Sequence, residues 1–389
     1  MECVRTNFVS SVGPFVTRLE QMTAGATGAK ACAATSSGTT GLHAALMAVG
    51  VGPGDLVLQP SFTFIASANA VAHCQATPWF VDISPDSWCM SPVQLAGLLS
   101  EQTRRAGRQL IHTTTGRRVA AIMPVYTLGT PADMDPILAL AREYGLPVVA
   151  DAAAALGARY KGRNLAGLAD LSVTSFNGNK TVTAGGGGAI VGDDDTAIEL
   201  VRHLTTTARV GDDYDHDRVG YNYRMTNLQA AVGCAQLERL DEFVTAKRRI
   251  RVRYDQALAT IPGVKAFPQP AWAESGCWFS GLVLDDPALP TATEVCVELR
   301  RRGVGARAFW KPAHLQAPYR EAPRAELPIT ESTWDKVITL PCSTQLSEVD
   351  QAFVIAAVQE LLLDSARRDH PLRPSTDSRG GLPVRSDVK

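Results

Sequence analysis

Two charged side chains that could do chemistry each follow a predicted strand. Lys180 ends the segment SFNGNK (175–180), beyond an apolar strand at 171–176. A lysine in a desolvated pocket loses its proton readily and becomes a nucleophile, whereas a surface lysine is simply solvated. Asp151 follows the apolar segment VVA (148–150), and a carboxylate at a buried strand end needs a partner. Asp151 therefore either faces a cationic ring nitrogen or caps a helix.

Two glycine-containing loops accompany these side chains. The loop TSSGTTG (35–41) joins a predicted strand to a predicted helix, where hydroxyl groups and first-turn N–H groups can bind an anion, or form an ordinary helix cap. The tetraglycine Gly185–Gly188 allows a sharp turn and close backbone approach, or is only a loop. Together, a phosphate cradle, an Asp for a pyridinium nitrogen and a lysine for an imine are what pyridoxal 5′-phosphate (PLP) requires. Their order fits the large domain of the aminotransferase-type fold.

Alternating strands and helices must position these groups. Apolar strands are predicted at 30–34, 55–58, 77–81, 119–125, 147–150, 171–176 and 189–191, and helices at 15–22, 39–49, 62–72 and 133–144. This alternation predicts an α/β fold with a mostly parallel sheet that is covered on both faces. Functional groups of such sheets gather beyond the carboxyl ends of the strands, and Gly38, Asp151 and Ser175 all fall there.

The chain is predicted to divide into two domains and a tail. A large PLP-binding domain spans 1–240, with the segment 1–29 leading in, and a small C-terminal α+β domain spans 241–364. A long helix over 226–261, straight or bent, would connect them. Residues 365–389 are rich in Pro, Gly, Ser, Arg and Asp, which predicts a disordered tail.

Composition excludes several classes of protein. Of the 389 residues 45% are hydrophobic and 20% are charged, which is typical of globular proteins. The net charge of −1 provides no basic excess for nucleic acid. No apolar run reaches the roughly 20 residues of a membrane helix. No charged n-region leads into an apolar h-region, so we do not expect a secreted protein. The eight cysteines lack the spacing of metal ligands, so we expect no metal site. We expect their thiols to be reduced, as in a cytoplasmic protein.

Six stretches resemble the sugar aminotransferases of the DegT/DnrJ/EryC1/StrS family. They are ATSSGTTGLHAALMAVGVGPGD, PSFTFIASANAV, ADAAAALGARYKGR, SFNGNKTVTAGGGGAIV, VGYNYRMTNLQAAVGCAQLERL and LPCSTQLSEVD. The resemblance implies a type I PLP-dependent aminotransferase fold, with a large mostly parallel sheet domain and a smaller C-terminal α+β domain. The stretches TNFVSSVGPFV and SFNGNK with GGGG are most similar to the subgroup that makes legionaminic-acid-type and 8-amino-octulosonate sugars.

The resemblance also implies roles for matching residues. Lys180 would bind the cofactor covalently and then move a proton, and Asp151 would keep the ring nitrogen protonated. The implied cofactor contacts are Gly38, Thr39, Thr40, Phe64, Asp151, Ser175, Lys180, Asn222 and Arg224. Phe64 would stack on the ring, or it is ordinary core.

Further implied roles concern the partner subunit and the substrate. Asn222, in GYNYRM, would reach the cofactor phosphate of the partner subunit in a homodimer with composite sites. Arg224 would join it, or would pair with an acid of its own chain. Tyr126, Asn177 and His314 would contact the substrate, although His314 could equally lie on the surface.

The sequence departs from the family pattern at several positions. Ala154 stands where members often have Gln, His or Glu, Tyr126 stands where many have His, and the tetraglycine replaces Gly-Glu-Gly-Gly. These changes leave the cofactor chemistry intact and leave the substrate open. Members also carry a strand and a helix before NFVSSVG, so we expect either an upstream start or a chain without them.

The residue patterns and this resemblance together predict a cytoplasmic, homodimeric, PLP-dependent aminotransferase. It would move an amino group from L-glutamate to a keto carbon of a nucleotide-activated or high-carbon sugar, as in antibiotic or glycan sugar biosynthesis. One alternative is a sugar dehydratase of the same fold, in which histidine replaces the lysine. A non-catalytic regulatory relative is disfavoured by the presence of Lys180 and Asp151. Desulfuration or decarboxylation of an amino acid is disfavoured by the match through GYNYRM and the C-terminal region.

Overall fold

The computed structural model of the protein describes residues 1–367, with side chains to residue 363. The helices are α1 (Glu2–Thr6), α2 (Pro14–Thr27), α3 (Gly38–Ala48), α4 (Ala66–His73), α5 (Pro92–Gln102), α6 (Met134–Tyr144), α7 (Asp195–Thr205), α8 (Asn227–Leu237), α9 (Leu240–Leu258), α10 (Ala292–Arg301), α11 (Pro328–Thr333) and α12 (Glu348–Arg367). Among them, none is both long and apolar enough to cross a bilayer. The disordered tail was predicted from residue 365, but α12 continues through residues 365–367. The rest of the predicted tail, residues 368–389, lies outside the described residues.

Seventeen short strands accompany these helices in the described part of the chain. They are β1 (Ala31–Thr35), β2 (Leu56–Pro60), β3 (Thr77–Val81), β4 (Thr103–Ala106), β5 (Gln109–His112), β6 (Arg118–Ile122), β7 (Val149–Asp151), β8 (Arg159–Tyr160), β9 (Leu171–Ser175), β10 (Gly188–Gly192), β11 (Arg209–Val210), β12 (Asp215–His216), β13 (Val264–Lys265), β14 (Ala273–Glu274), β15 (Ser280–Leu284), β16 (Arg307–Ala308) and β17 (Val337–Leu340).

The chain folds into two compact units. The first comprises Met1–Glu242, Gln269–Trp278 and Pro312–Thr330, and the second comprises Phe243–Pro268, Phe279–Lys311 and the chain from Glu331 on. The first boundary lies close to the expected one at 240, but two later segments return to the first unit. Their backbones are bonded there, since Gly276 N donates to Gly129 O at 2.9 Å and Ala325 N donates to Phe80 O at 2.9 Å. The predicted division at one position therefore does not describe the two units, because each of them contains several separate segments of the chain.

A mostly parallel sheet forms the centre of the first unit. Its strands have the orders β1-β10-β9-β7 and β3-β2-β6-β5-β4, and parallel bridges such as Ile122–Val148 connect β6 to β7. Strand β7 is parallel to β9, and β2 is parallel to β3 and β6, whereas β10 is antiparallel to both neighbours. Leu58 and Val57 belong to two different apolar clusters. The sheet is therefore buried on both faces, as the alternation of strands and helices predicts.

The second unit has its own core. Strands β13-β15-β17-β16 form an antiparallel sheet, which contributes Leu282 and Ile338 to an apolar cluster. Helices α9, α10 and α12 contribute to the same cluster, for example through Tyr254, Val295 and Val358. This is the small α+β unit that the sequence predicts.

The long helix predicted over 226–261 is two helices in the structure. Helix α8 begins with a capping box, in which the Thr226 and Gln229 side chains bond each other's backbone N–H, and it ends at Leu237. Helix α9 begins three residues later, at Leu240. The apolar periodicity continues across residues 238–239, so the pattern alone does not reveal the interruption.

Candidate active site

The carboxylate of Asp151 is buried at the end of β7 and is hydrogen-bonded on both oxygens. Ser67 Oγ donates to Oδ2 at 2.6 Å and the N–H of Ala153 donates to Oδ1 at 3.1 Å. Because Ser67 has only one hydroxyl proton, Thr63 Oγ1, 2.7 Å away, must donate to Ser67 Oγ. Burial raises the pKa of Asp151, while these two bonds and the nearby Lys180 partly oppose the shift. A cationic partner would favour the ionised carboxylate further.

Lys180 lies five residues beyond the end of β9, the strand that is parallel to β7. Its amine lies over the indole of Trp278, with Nζ 3.4 Å from the ring centroid. Burial lowers the pKa of Lys180 from 10.5 to about 8, against the opposing charge of Asp151. The structure therefore brings the predicted lysine and the predicted aspartate into electrostatic contact, and Lys180 is an amine that can be neutral near physiological pH.

We expect the amine of Lys180 to titrate near pH 8 in the cofactor-free protein. Acetylation of lysines at a series of pH values, read by mass spectrometry, should give this midpoint. The exposed Lys161 is the internal control, because its bond to Asp135 raises its pKa. Between about pH 8 and pH 10.5 the Lys180 amine is largely neutral in the folded state but still protonated in the unfolded chain. The free energy of unfolding should therefore rise with pH across this range. Titration of both lysines at the same pH would contradict the assignment.

The loop before α3 has the geometry of an anion site. Ser37 caps the helix and forms a capping box with Thr40, whose hydroxyl also contacts Ser36. The Thr40 side chain is thus used within the loop, and the N-terminal backbone of α3, with Gly38 and Thr39, is what the helix presents to an anion. A Cβ on Gly38 would lie 3.0 Å from Ser175 Cβ. Glycine at this position therefore lets the helix N-terminus approach Ser175 closely.

The tetraglycine permits a second close approach. Gly185 and Gly187 have φ values of 76° and 102°, which disfavour other residues. A Cβ on Gly187 would overlap with Met225 Cε, and one on Gly188 would lie 2.7 Å from the Gly38 nitrogen. The run is therefore more than a loop, because it lets β10 pass against the α3 loop and the GYNYRM segment.

Phe64 exposes an aromatic ring near Asp151. Its side chain is 53% exposed, and its carbonyl oxygen accepts a hydrogen bond from the N–H of Ser67, the residue that bonds Asp151. Phe64 is therefore not ordinary core, and a half-exposed aromatic ring is suited to stacking on a flat ligand.

The GYNYRM segment places Asn222 and Arg224 differently. Asn222 is exposed, between two tyrosines whose rings stack at 4.9 Å. Arg224 is largely buried and pairs with Glu20 of its own chain, with Nη1 and Oε1 3.3 Å apart. Glu20 also binds Arg202 at 2.8 Å and the N–H of Ala34 at 2.8 Å. Arg224 therefore forms an ion pair within its own chain, which is the second of the two roles that the sequence allows.

The three predicted substrate residues do not share one surface. Tyr126 is 1% exposed within the large apolar cluster, so its ring points into the core rather than to a substrate. His314 is also buried, and its Nδ1 lies 2.6 Å from Ser61 Oγ. This bond helps to attach the segment Pro312–Thr330 to the first unit. Only Asn177 is exposed, and its carbonyl oxygen accepts the N–H of Lys180 at 3.0 Å.

Sequence reasoning missed Ser67, Trp278 and Glu20. Ser67 lies one helical turn after Phe64. This spacing could have indicated that its hydroxyl lies near the same site and hydrogen-bonds Asp151. Trp278 lies almost one hundred residues beyond Lys180, and no local pattern connects the two. Glu20 lies in the apolar stretch of α2, where a buried acid predicts a buried cation but does not identify it.

These residues fit PLP. A buried carboxylate with two neutral donors suits a cationic ring nitrogen, and a half-exposed aromatic face suits a stacked ring. A helix N-terminus in close approach to a serine hydroxyl suits a phosphate. Within the described residues, no group of three or more His, Cys, Asp or Glu side chains could hold a metal ion.

Comparison with known proteins identifies the family of the chain. The DegT/DnrJ/EryC1/StrS aminotransferase family matches residues 1–359. GDP-perosamine synthase of Caulobacter vibrioides is 38% identical over 370 residues, which cover 93% of this chain and 94% of that protein.

Solved structures of this family have a similar fold. DesV of S. venezuelae, solved in complex with a ketimine intermediate, has a TM-score of 0.83 at 29% identity and covers 95% of this chain and 93% of its own. DesI, solved in the presence of its TDP-sugar product, has a TM-score of 0.82 at 30% identity and covers 95% and 91%. The predicted fold class is confirmed. The chain belongs to the DegT/DnrJ/EryC1/StrS family and is a PLP-dependent sugar aminotransferase.

Proposed function

We propose that Lys180 and Asp151 carry the chemistry of amino-group transfer to a keto sugar. The observation that supports this most directly is the low-pKa amine of Lys180 in electrostatic contact with a buried carboxylate that already has two hydrogen-bond donors. When bound, PLP supplies an electron-withdrawing ring. Lys180 holds it and moves a proton at Nζ, and Asp151 accepts a hydrogen bond from the ring nitrogen.

The remaining residues hold the cofactor in place. The N-terminal turn of α3, at Gly38 and Thr39, and the hydroxyl of Ser175 bind the phosphate, and Phe64 stacks on one ring face. Thr40 supports the loop through its bonds to Ser37. The positions of the side chains and helix terminus described above support these proposed roles.

The substrate is a nucleoside-diphosphate keto sugar, and L-glutamate is the amino donor. GDP-perosamine synthase and the TDP-sugar complex of DesI support this substrate class. Octulosonate- and nonulosonate-type keto sugars are the second candidate class, supported by the TNFVSSVGPFV stretch. A dehydratase is disfavoured, because the chain has Lys180 where those relatives have histidine.

One experiment distinguishes the two substrate classes. PLP-loaded protein is incubated with ¹⁵N-glutamate and a panel of GDP-, TDP- and UDP-linked keto sugars and keto octulosonates. Mass spectrometry should find ¹⁵N in a nucleotide-linked amino sugar. Labelling of an octulosonate alone would transfer the assignment to the second class, and loss of water without ¹⁵N would indicate a dehydratase.

We further propose a homodimer with composite active sites, in which Asn222 reaches the phosphate bound by the partner subunit. Two observations support this proposal. Asn222 is exposed, and the tyrosines on either side of it both contact His43. Tyr223 Oη lies 3.3 Å from His43 Nδ1, and the Tyr221 ring packs edge-on against His43 at 4.9 Å. Because His43 belongs to α3, the helix of the phosphate loop also positions the Asn222 segment.

Mixing two inactive variants tests the shared site. Lys180→Ala chains combined with Asn222→Ala chains should regain activity in mixed dimers, because one of the two sites then has both residues. Each variant mixed with itself is the control and should stay inactive. If Asn222 acts within its own chain, every mixed site lacks one residue and no activity returns.

A further inference from the structure

An aromatic ring that no assigned role includes lies against the reactive amine. Trp278 is 3% exposed, and Lys180 Nζ lies 3.4 Å from the centroid of its indole. This distance is well within the roughly 6 Å over which a cation is attracted to an aromatic face. Trp278 therefore contacts the one side-chain atom on which the proposed proton transfer depends.

The indole is fixed in this position from several sides. Its Nε1–H donates to the carbonyl oxygen of Asn179 at 2.7 Å, and that residue is adjacent to Lys180. Its backbone N–H donates to Leu128 O at 3.1 Å. The preceding residue, Cys277, has a φ of 49°, a left-handed conformation that turns the chain into the site. The ring is thus held by both the lysine loop and the loop that follows β6.

We propose that Trp278 is a positioning residue for Lys180, one that holds Nζ over its ring face and stabilises the protonated amine. Burial favours the neutral amine, whereas the indole face and the charge of Asp151 favour the ammonium. The balance leaves an amine that both accepts and donates a proton near neutral pH, as a proton-moving group must. The inference rests on the proposed role of Lys180.

Competitive acetylation of the cofactor-free protein measures the effect directly. Trp278→Leu keeps apolar bulk and removes the ring face, so the pKa of Lys180 should fall by about half a unit to one and a half units. Trp278→Phe keeps a ring and should retain most of the wild-type value. Trp272→Leu is the matched control, because it makes the same change in the same segment, where the indole packs against the large apolar cluster. An unchanged pKa in folded Trp278→Leu would overturn the proposal.

Fluorinated tryptophan provides a test without any substitution of the chain. The wild-type protein is produced in cells that are supplied with tryptophan carrying one, two or more fluorine atoms. Each fluorine leaves the ring shape nearly unchanged and reduces the negative potential of the ring face. The pKa of Lys180 should fall stepwise along the series, and a constant value would overturn the proposal even if Trp278→Leu does not fold.

A kinetic measurement on the loaded enzyme separates positioning from substrate binding. Trp278→Leu should lower kcat with little change in the KM of the amino donor, and Trp278→Phe should recover much of kcat. Borohydride reduction of the PLP-loaded wild type shows which lysine carries the cofactor. A label on another lysine would defeat the proposed role of Lys180, whereas a label on Lys180 with an insensitive pKa would defeat only the role of Trp278.

Discussion

Replacing Lys180 by Ala should reduce amino-group transfer by about 10³-fold or more, since both the covalent hold on the cofactor and the proton-moving amine are lost. The variant should still bind PLP without a covalent bond, because the α3 loop, Ser175 and Asp151 are unchanged. Transfer is measured by single-turnover kinetics with glutamate, and retained cofactor by absorbance after gel filtration.

Lys161→Ala is the matched control for this prediction. Lys161 is exposed and paired with Asp135 at 2.8 Å, so its loss should leave the rate unchanged. After borohydride reduction, the pyridoxyl mass should map to the peptide that contains Lys180. Rapid transfer by Lys180→Ala would show that another amine does the chemistry.

Replacing Asp151 by Asn should lower the rate at least about tenfold while preserving the fold. A neutral amide cannot stabilise a protonated ring nitrogen, and a charge-assisted hydrogen bond is worth about 1.5–3 kcal/mol. Asn has nearly the same shape as the Asp that it replaces. Burial raises the pKa of Asp151, so ionisation of this carboxylate at neutral pH lowers the stability of the folded state. The melting temperature of the cofactor-free variant at neutral pH should therefore equal or exceed that of the wild type.

Ser67→Ala is the comparison that separates charge from orientation. It removes the donor 2.6 Å from Asp151 Oδ2 but keeps the carboxylate, so its rate should lie between those of the wild type and Asp151→Asn. Turnover of Asp151→Asn at the wild-type rate would exclude the assigned role. A collapse of its melting temperature would show that the carboxylate is structural.

Local patterns predicted most of the first unit. Strand Thr77–Val81 has the predicted bounds, and the helix predicted over 133–144 ends at Gly145, which has the left-handed conformation expected of a cap. Asp151 and Ser175 lie at strand ends because apolar runs define where buried strands stop. These features depend on neighbouring residues, which a sequence displays directly.

Features that depend on distant residues were not predictable in this way. Position 126 follows an apolar strand, but only the packing of the core shows that the ring of Tyr126 points inward. His314 is buried, and its backbone N–H donates at 3.0 Å to Oγ of Ser61, more than 250 residues earlier. No local pattern connects these two residues. The hairpin of β4 and β5 was missed because its first strand, Thr103–Ala106, is largely exposed and carries no apolar alternation.

The contact between Asn179 and Trp278, 99 residues apart, has a consequence for synthesis of the chain. A ribosome releases the lysine loop long before the indole that covers it, and the segment Phe243–Pro268 of the other unit is made in between. Closing so long a loop costs entropy, which the long-range contacts of the finished fold offset. Nascent chains that stop before residue 269 should therefore expose Lys180 to amine reagents, and its protection should begin only when Trp278 has left the exit tunnel.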